Sequence, residues 1–127
     1  MTSPEKLSLI VQSDDFDRVH YALVLASAAL ATGKPVTLLF AMAATRALTP
    51  RWASAAREAD LSDKSLATFE ELLGACVELD AVFMVCEMGL RDCELTRGDL
   101  RPDVPVTEGS AASFLADASD KGAMLYV

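Results

Sequence analysis

Residues 6–42 read KLSLIVQSDDFDRVHYALVLASAALATGKPVTLLFAM, and this stretch decides the fold class. Its first part, residues 6–12, is rich in strand-forming aliphatic residues and breaks at the polar cluster Ser13-Asp14-Asp15, the pattern of a strand giving way to a helix start. Phe16, Val19, Leu23, Ala26 and Leu30 then fall on one helical stripe. Ser13 or Asp14 is expected to cap the free amides of that helix, and Gly33 followed by Pro35 to stop it. Residues 35–42, PVTLLFAM, form a second strand. Both strands are almost continuously apolar, as strands buried on two faces are, and a strand, helix and strand in this order close as a right-handed parallel crossover.

Beyond this unit the pattern is looser. Residues 43–64 are Ala-rich, hold Pro50 and Trp52, and carry Arg46, Arg51, Arg57 and Lys64, four of the eleven basic residues. They read as short helical pieces in a mobile excursion. Residues 65–79 place Phe69, Leu72, Leu73 and Cys76 at helical spacing. A third strand is expected over 81–85, a short helix over 87–95 and a brief fourth strand over 104–106 beside Pro102 and Pro105. Residues 108–119 read as a helix with Ala112 and Leu115 inward, and 123–127 as a last strand. The alternation predicts a three-layer α/β/α sandwich with a mostly parallel sheet of about five strands, in one domain over residues 1–127. Ligands in such folds sit beyond the carboxyl ends of the strands, which here are reached by the loops 12–15, 41–45 and 86–88.

Composition narrows the function classes. Eleven basic against nineteen acidic residues give a net charge of -8, which repels nucleic acid and anionic membranes. Charged residues interrupt every apolar run well short of the roughly 20 residues needed for a membrane span. Three cysteines and no leader-like segment predict reduced thiols in a cytoplasmic protein. His20 is the single histidine, so a His-rich metal site and a Cys-His-acid hydrolase both lack parts, and no metal or cofactor is implied. His20 itself reads as a helix-flank residue. Gly33-Lys34 follows a helix rather than a strand and reads as a helix stop, not a phosphate loop. Asp14 and Asp15 after the first strand invite comparison with Mg²⁺-binding receiver domains. Those need an aspartate at the end of the third strand, where this chain has Cys86.

Several stretches together carry a resemblance: the Ser/Asp loop after the first strand, YALVLASAALATGKPV leading into TLLF, the helix FEELLGACVELD, and a cysteine directly after the third strand. Over residues 6–127 the chain resembles the DsrE/DsrF-like family of small sulfur-relay proteins. The resemblance implies a five-stranded domain, assembly as a homotrimer or hexamer, and, as in some members, sulfur carried as a cysteine persulfide to or from a partner protein or a small sulfane-sulfur compound. In one branch of the family the active cysteine stands in a Cys-x-Met-Ser-Met setting. Cys86, Glu87, Met88, Gly89 and Leu90 occupy those places, keeping the cysteine and first methionine and replacing the rest. Val106, Glu108 and Gly109 fall where the family has a short strand and turn before its final helix.

The thiols differ in their surroundings. Cys76, beside Leu72 and Leu73, is expected in the core. Cys86 is the candidate persulfide acceptor, with Ser13, Asp14, Glu87, Met88 and Arg91 at the edge of its site. A helix start and Arg91 favour its thiolate, whereas Glu87, Asp92 and the apolar strand oppose it. Cys93 is a candidate secondary thiol. On one continuous helix its Cα would lie about 10 Å from that of Cys86, beyond the roughly 7 Å a disulfide spans, so no bridge is expected without a bend near Gly89. Two readings stay open: a sulfurtransferase or sulfur carrier acting through Cys86, and a noncatalytic oligomeric binding module of the same fold. The first needs a reactive Cys86; the second uses the Arg-bearing excursion, with Trp52 among its contacts. A small-molecule site at the same strand edge is a third option.

Overall fold

The computed structural model describes residues 4–127. Five strands form one sheet: β1 (Leu7–Val11), β2 (Val36–Phe40), β3 (Val82–Cys86), β4 (Val106–Gly109) and β5 (Ala123–Tyr126), in the order β4-β3-β2-β1-β5. Every pairing is parallel, not merely most. The helices are α1 (Phe16–Ala31), α2 (Ala55–Asp63), α3 (Phe69–Glu78), α4 (Glu87–Asp92) and α5 (Ala111–Asp117), with 3₁₀ segments at Met42–Leu48 and Arg97–Asp99. No helix among the described residues is long and apolar enough to cross a membrane.

Side-chain alternation along the strands sorts the core into two layers. Leu9, Val11, Leu38, Phe40, Phe83 and Val85 are fully or almost fully buried against α1 and α3, in the larger cluster. Leu39 and Met84 point the other way and close on Phe114 of α5. Cys76 is buried in α3 with its thiol toward the Leu23 carbonyl, and burial pushes its pKa up to about 11. It is core, as its spacing predicts.

Two helix starts on this side of the sheet differ from the expectation. Asp15, not Ser13 or Asp14, caps α1 by accepting from the Arg18 N–H at 3.2 Å, because the helix begins at the very next residue. Ser13 Oγ instead accepts from the Asp15 N–H, and Asp14 pairs with Arg46 at 3.5 Å. α3 starts at Phe69 rather than near residue 65, where Thr68 and Glu71 form a reciprocal capping box. The stop at Gly33 is as expected: it takes a positive φ of 83°, and the N–H groups of Gly33 and Lys34 return to the Leu30 and Ala29 carbonyls.

The 43–64 excursion is packed rather than mobile in character. Ala44, Thr45, Ala47 and Leu48 are completely buried, and Trp52 stacks on Phe16 and tilts against Phe69 within the same chain. Its Ala-rich half is thus spent on the monomer's own core. His20 is indeed a helix-flank residue: it stacks on Phe16 and its Nε2 lies 2.8 Å from the Ala67 carbonyl oxygen.

The last third departs furthest. β4 occupies Val106–Gly109 rather than 104–106, so Glu108 is a strand residue and α5 begins only at Ala111. That start rotates α5 relative to the expected helix. Ala112 and Leu115 face solvent, and Phe114, 1% exposed, is the buried residue. At the far end Asp117 accepts from Lys6 Nζ at 2.6 Å and from Thr37 Oγ1 at 2.7 Å, which holds its carboxyl below the usual range.

Candidate functional site

Successive crossovers from β1 to β4 step one way across the sheet, and the last returns over all of it to β5. The connection leaving β3 contributes Leu90, Leu95, Leu100 and Val104 to the cluster of α1 and α3. The connection leaving the adjacent β4 is α5, on the opposite face. Neighbouring parallel strands whose connections part to opposite faces leave a crevice beyond their carboxyl ends, the usual ligand position in open α/β sheets. Here Cys86 and Gly109 are register partners at its floor.

A cavity of about 510 Å³ opens at that crevice. Leu39, Ala41 and Met42 line it from the end of β2, Cys86, Glu87 and Met88 from β3, and Glu108 to Ala111 from β4 and the start of α5. Cys86 is a half-buried residue, and its sulfur accepts from the Gly89 N–H at 3.3 Å, closing the first turn of α4. Gly89 is required there: a Cβ would overlap the Thr45 hydroxyl and lie 3.1 Å from the Met42 nitrogen, so only glycine lets α4 seat against the 3₁₀ segment. Met88, 69% exposed, lines the cavity with a thioether of the kind that suits irregular apolar surfaces.

The charges around the thiol are already engaged. Arg91 pairs with Glu87 at 2.7 Å across one helical turn, and Arg97 with Glu108 at 3.4 Å. Both pairs are solvent-exposed and of small energetic worth, and they leave two carboxylates but no lysine or arginine in the cavity lining.

Of the residues singled out in the sequence, Cys86, Glu87 and Met88 line this cavity, whereas Ser13, Asp14, Arg91 and Cys93 do not. α4 ends at Asp92, earlier than residue 95, and Cys93 follows as its C-cap. The Cys93 thiol donates to the Met42 carbonyl at 3.3 Å; desolvation, partly offset by Arg46, raises its pKa. All three cysteines are free thiols. Glu108, Gly109 and Ser110 were missed because a strand ending at 106 stops short of the edge; extending it by three residues, as the turn-like Gly109-Ser110 permits, places them beside Cys86. No group of three His, Cys, Asp or Glu able to hold a metal occurs among the described residues.

A larger cavity, about 670 Å³, lies elsewhere, between the 50–55 turn and residues 101–103. There Arg101, with a side chain only 11% exposed, forks onto Glu70 and Asp103 at 2.6–2.8 Å. That geometry ties the loop before β4 to the start of α3 and holds the Asp103 carboxyl below its usual range. It shares no lining residue with the Cys86 cavity.

No protein-family model and no curated protein sequence matches this chain. The solved structure of the protein of unknown function MTH1491 from Methanobacterium thermoautotrophicum is similar over 96% of this chain and 98% of its own, with a TM-score of 0.60 and 15% identity. At that identity the likeness speaks for the fold alone.

Proposed function

We propose that the protein is a sulfur carrier or sulfurtransferase of the DsrE/DsrF-like type, which takes a sulfane sulfur onto Cys86 as a persulfide and relays it to or from a partner protein. The observation that carries this reading is the position of Cys86, a half-buried residue at the crevice between diverging connections that lines a 510 Å³ cavity. In the step itself the Cys86 thiolate attacks the outer sulfur of a donor persulfide. The new Cys86 S–S bond forms as the donor's S–S bond breaks, and the donor leaves as a thiolate with that electron pair. The sulfane sulfur changes hands without an external oxidant. The compartment of this reading is the cytoplasm, where thiols stay reduced.

One observation favours the second reading, a noncatalytic oligomeric binding module: the cavity lining holds no lysine or arginine, and Arg91 and Arg97 outside it are taken up by Glu87 and Glu108. Iodoacetamide labelling of the native protein against pH separates the two. The carrier reading expects Cys86 to be modified first, Cys93 later because its thiol is desolvated and donates to Met42, and Cys76 only on unfolding. Labelling of Cys86 only in denaturant leaves the binding module.

Assembly as a homotrimer or hexamer belongs to the same reading. Leu115 and Met124, 59% and 43% exposed, are apolar surface that such an assembly would cover, in place of the already buried Ala-rich segment. Light scattering at micromolar concentration is expected to return at least a trimer; a monomer removes this part.

A further inference from the structure

A second crevice lies at the carboxyl ends of β1 and β5, about 280 Å³ in volume, with Gln12, Ser13, Arg18, Asp92 and Tyr126 in its lining. It shares only Met42 with the cavity of Cys86. Its two charged residues are notable for what they lack. The carboxylates nearest Arg18 in sequence all have partners: Asp14 pairs with Arg46, Asp15 caps α1, and Asp17 pairs with Arg57. Arg18 makes no ion pair with any of them, nor with any other carboxylate among the described residues, although acids outnumber bases nineteen to eleven. Asp92 is likewise without a cationic partner among the described residues. It sits in the last turn of α4, where the carbonyl end of a helix disfavours an anion, and its charge helps to raise the pKa of the neighbouring Cys93.

We propose that this crevice binds a small zwitterion of amino-acid type, its carboxylate on Arg18 and its ammonium group toward Asp92. An arginine fork matches a carboxylate in two parallel hydrogen bonds. Opposite charges that line one concavity yet stay beyond ion-pair reach of each other leave a gap that a molecule bearing both charges bridges. The hydroxyl of Ser13 and the amide of Gln12 add short polar contacts, and the exposed ring of Tyr126 supplies an apolar wall for a side chain. The volume falls just under the roughly 300 Å³ at which drug-sized sites begin, which suits an amino acid and is too small for a nucleotide. Asp92 also selects against multiply charged anions. The site is independent of any chemistry at Cys86.

The test is an NMR titration of the ¹⁵N-labelled full chain with L-alanine, acetate, methylamine and inorganic phosphate as separate probes. L-alanine is expected to shift the amide signals of Ser13, Arg18 and Tyr126 saturably, and more tightly than acetate or methylamine. Arg18→Gln and Asp92→Asn are each expected to weaken it by about tenfold or more, the loss that follows when a charge-assisted contact goes. Both side chains are exposed, so the variants keep the fold, which their unchanged remaining spectra verify. Absence of saturation by L-alanine up to about 100 mM overturns the proposal, since that is weaker than any specific site. Acetate or phosphate binding as tightly as L-alanine, with Asp92→Asn indifferent, also overturns it, because the site then reads a lone anion.

Discussion

Cys86→Ser abolishes uptake of sulfane sulfur. Wild-type protein incubated with polysulfide and digested without reductant is expected to carry added sulfur on the peptide containing Cys86, and the variant to carry none. The effect is all-or-none because a serine hydroxyl stays protonated and cannot form the S–S bond, whereas the thiolate attacks readily. Cys93→Ser is expected to leave uptake intact: its thiol already donates to the Met42 carbonyl and lies outside the cavity. The chain's net charge of -8 repels an anionic polysulfide, so its uptake should quicken as salt screens that charge. Added sulfur that maps to Cys93, or to no cysteine, defeats the carrier reading and leaves the fold with its binding function.

Phe114→Ala is expected to lower stability by about 3–5 kcal/mol, read as a fall in the urea midpoint, because the ring is 1% exposed and the small cluster with Leu39 and Met84 closes around it. Leu115→Ala, one residue on and 59% exposed, should stay within about 0.5 kcal/mol. α5 is held to the sheet by that one ring and by Asp117 on Lys6 and Thr37, and its first residues wall the Cys86 cavity. Loss of the ring should therefore also speed iodoacetamide labelling of Cys86 before global unfolding. Acid acts on the other tether. The Asp117 carboxyl is held below its ordinary value, so its contribution is present above that value and is lost as pH falls through the folded-state pKa. Equal effects of the Phe114 and Leu115 variants would show that α5 does not dock as described.

The strand, helix and strand of residues 6–42 were legible because each element carries its own period and its own stop. Leu9, Leu38 and Phe40 had to be buried, Val19 and Leu23 had to face them, and Gly33 had to close the helix. Cys76 was legible for the same reason. Residues 102–117 were not, since between two prolines, a four-residue strand and a seven-residue helix there is too little length for periodicity to place a boundary. An error of three residues there moved Glu108 from strand to helix and turned Leu115 inward in place of Phe114. The packed state of the 43–64 segment was equally hidden, because Ala44, Thr45 and Ala47 are small residues whose burial depends on what lies opposite them.

Local patterning along the chain thus determined an α/β sheet with a cysteine at the end of its third strand, because hydrophobic period and turn chemistry act within a few residues. Only the tertiary structure decided what that cysteine faces. The parting of the β3 and β4 connections, the turning of Cys93 to Met42, and the placing of Arg18 and Asp92 in one crevice bring together residues as far as 74 positions apart. Such meetings depend on strand order and on which face each connection takes, and no short window of sequence encodes either.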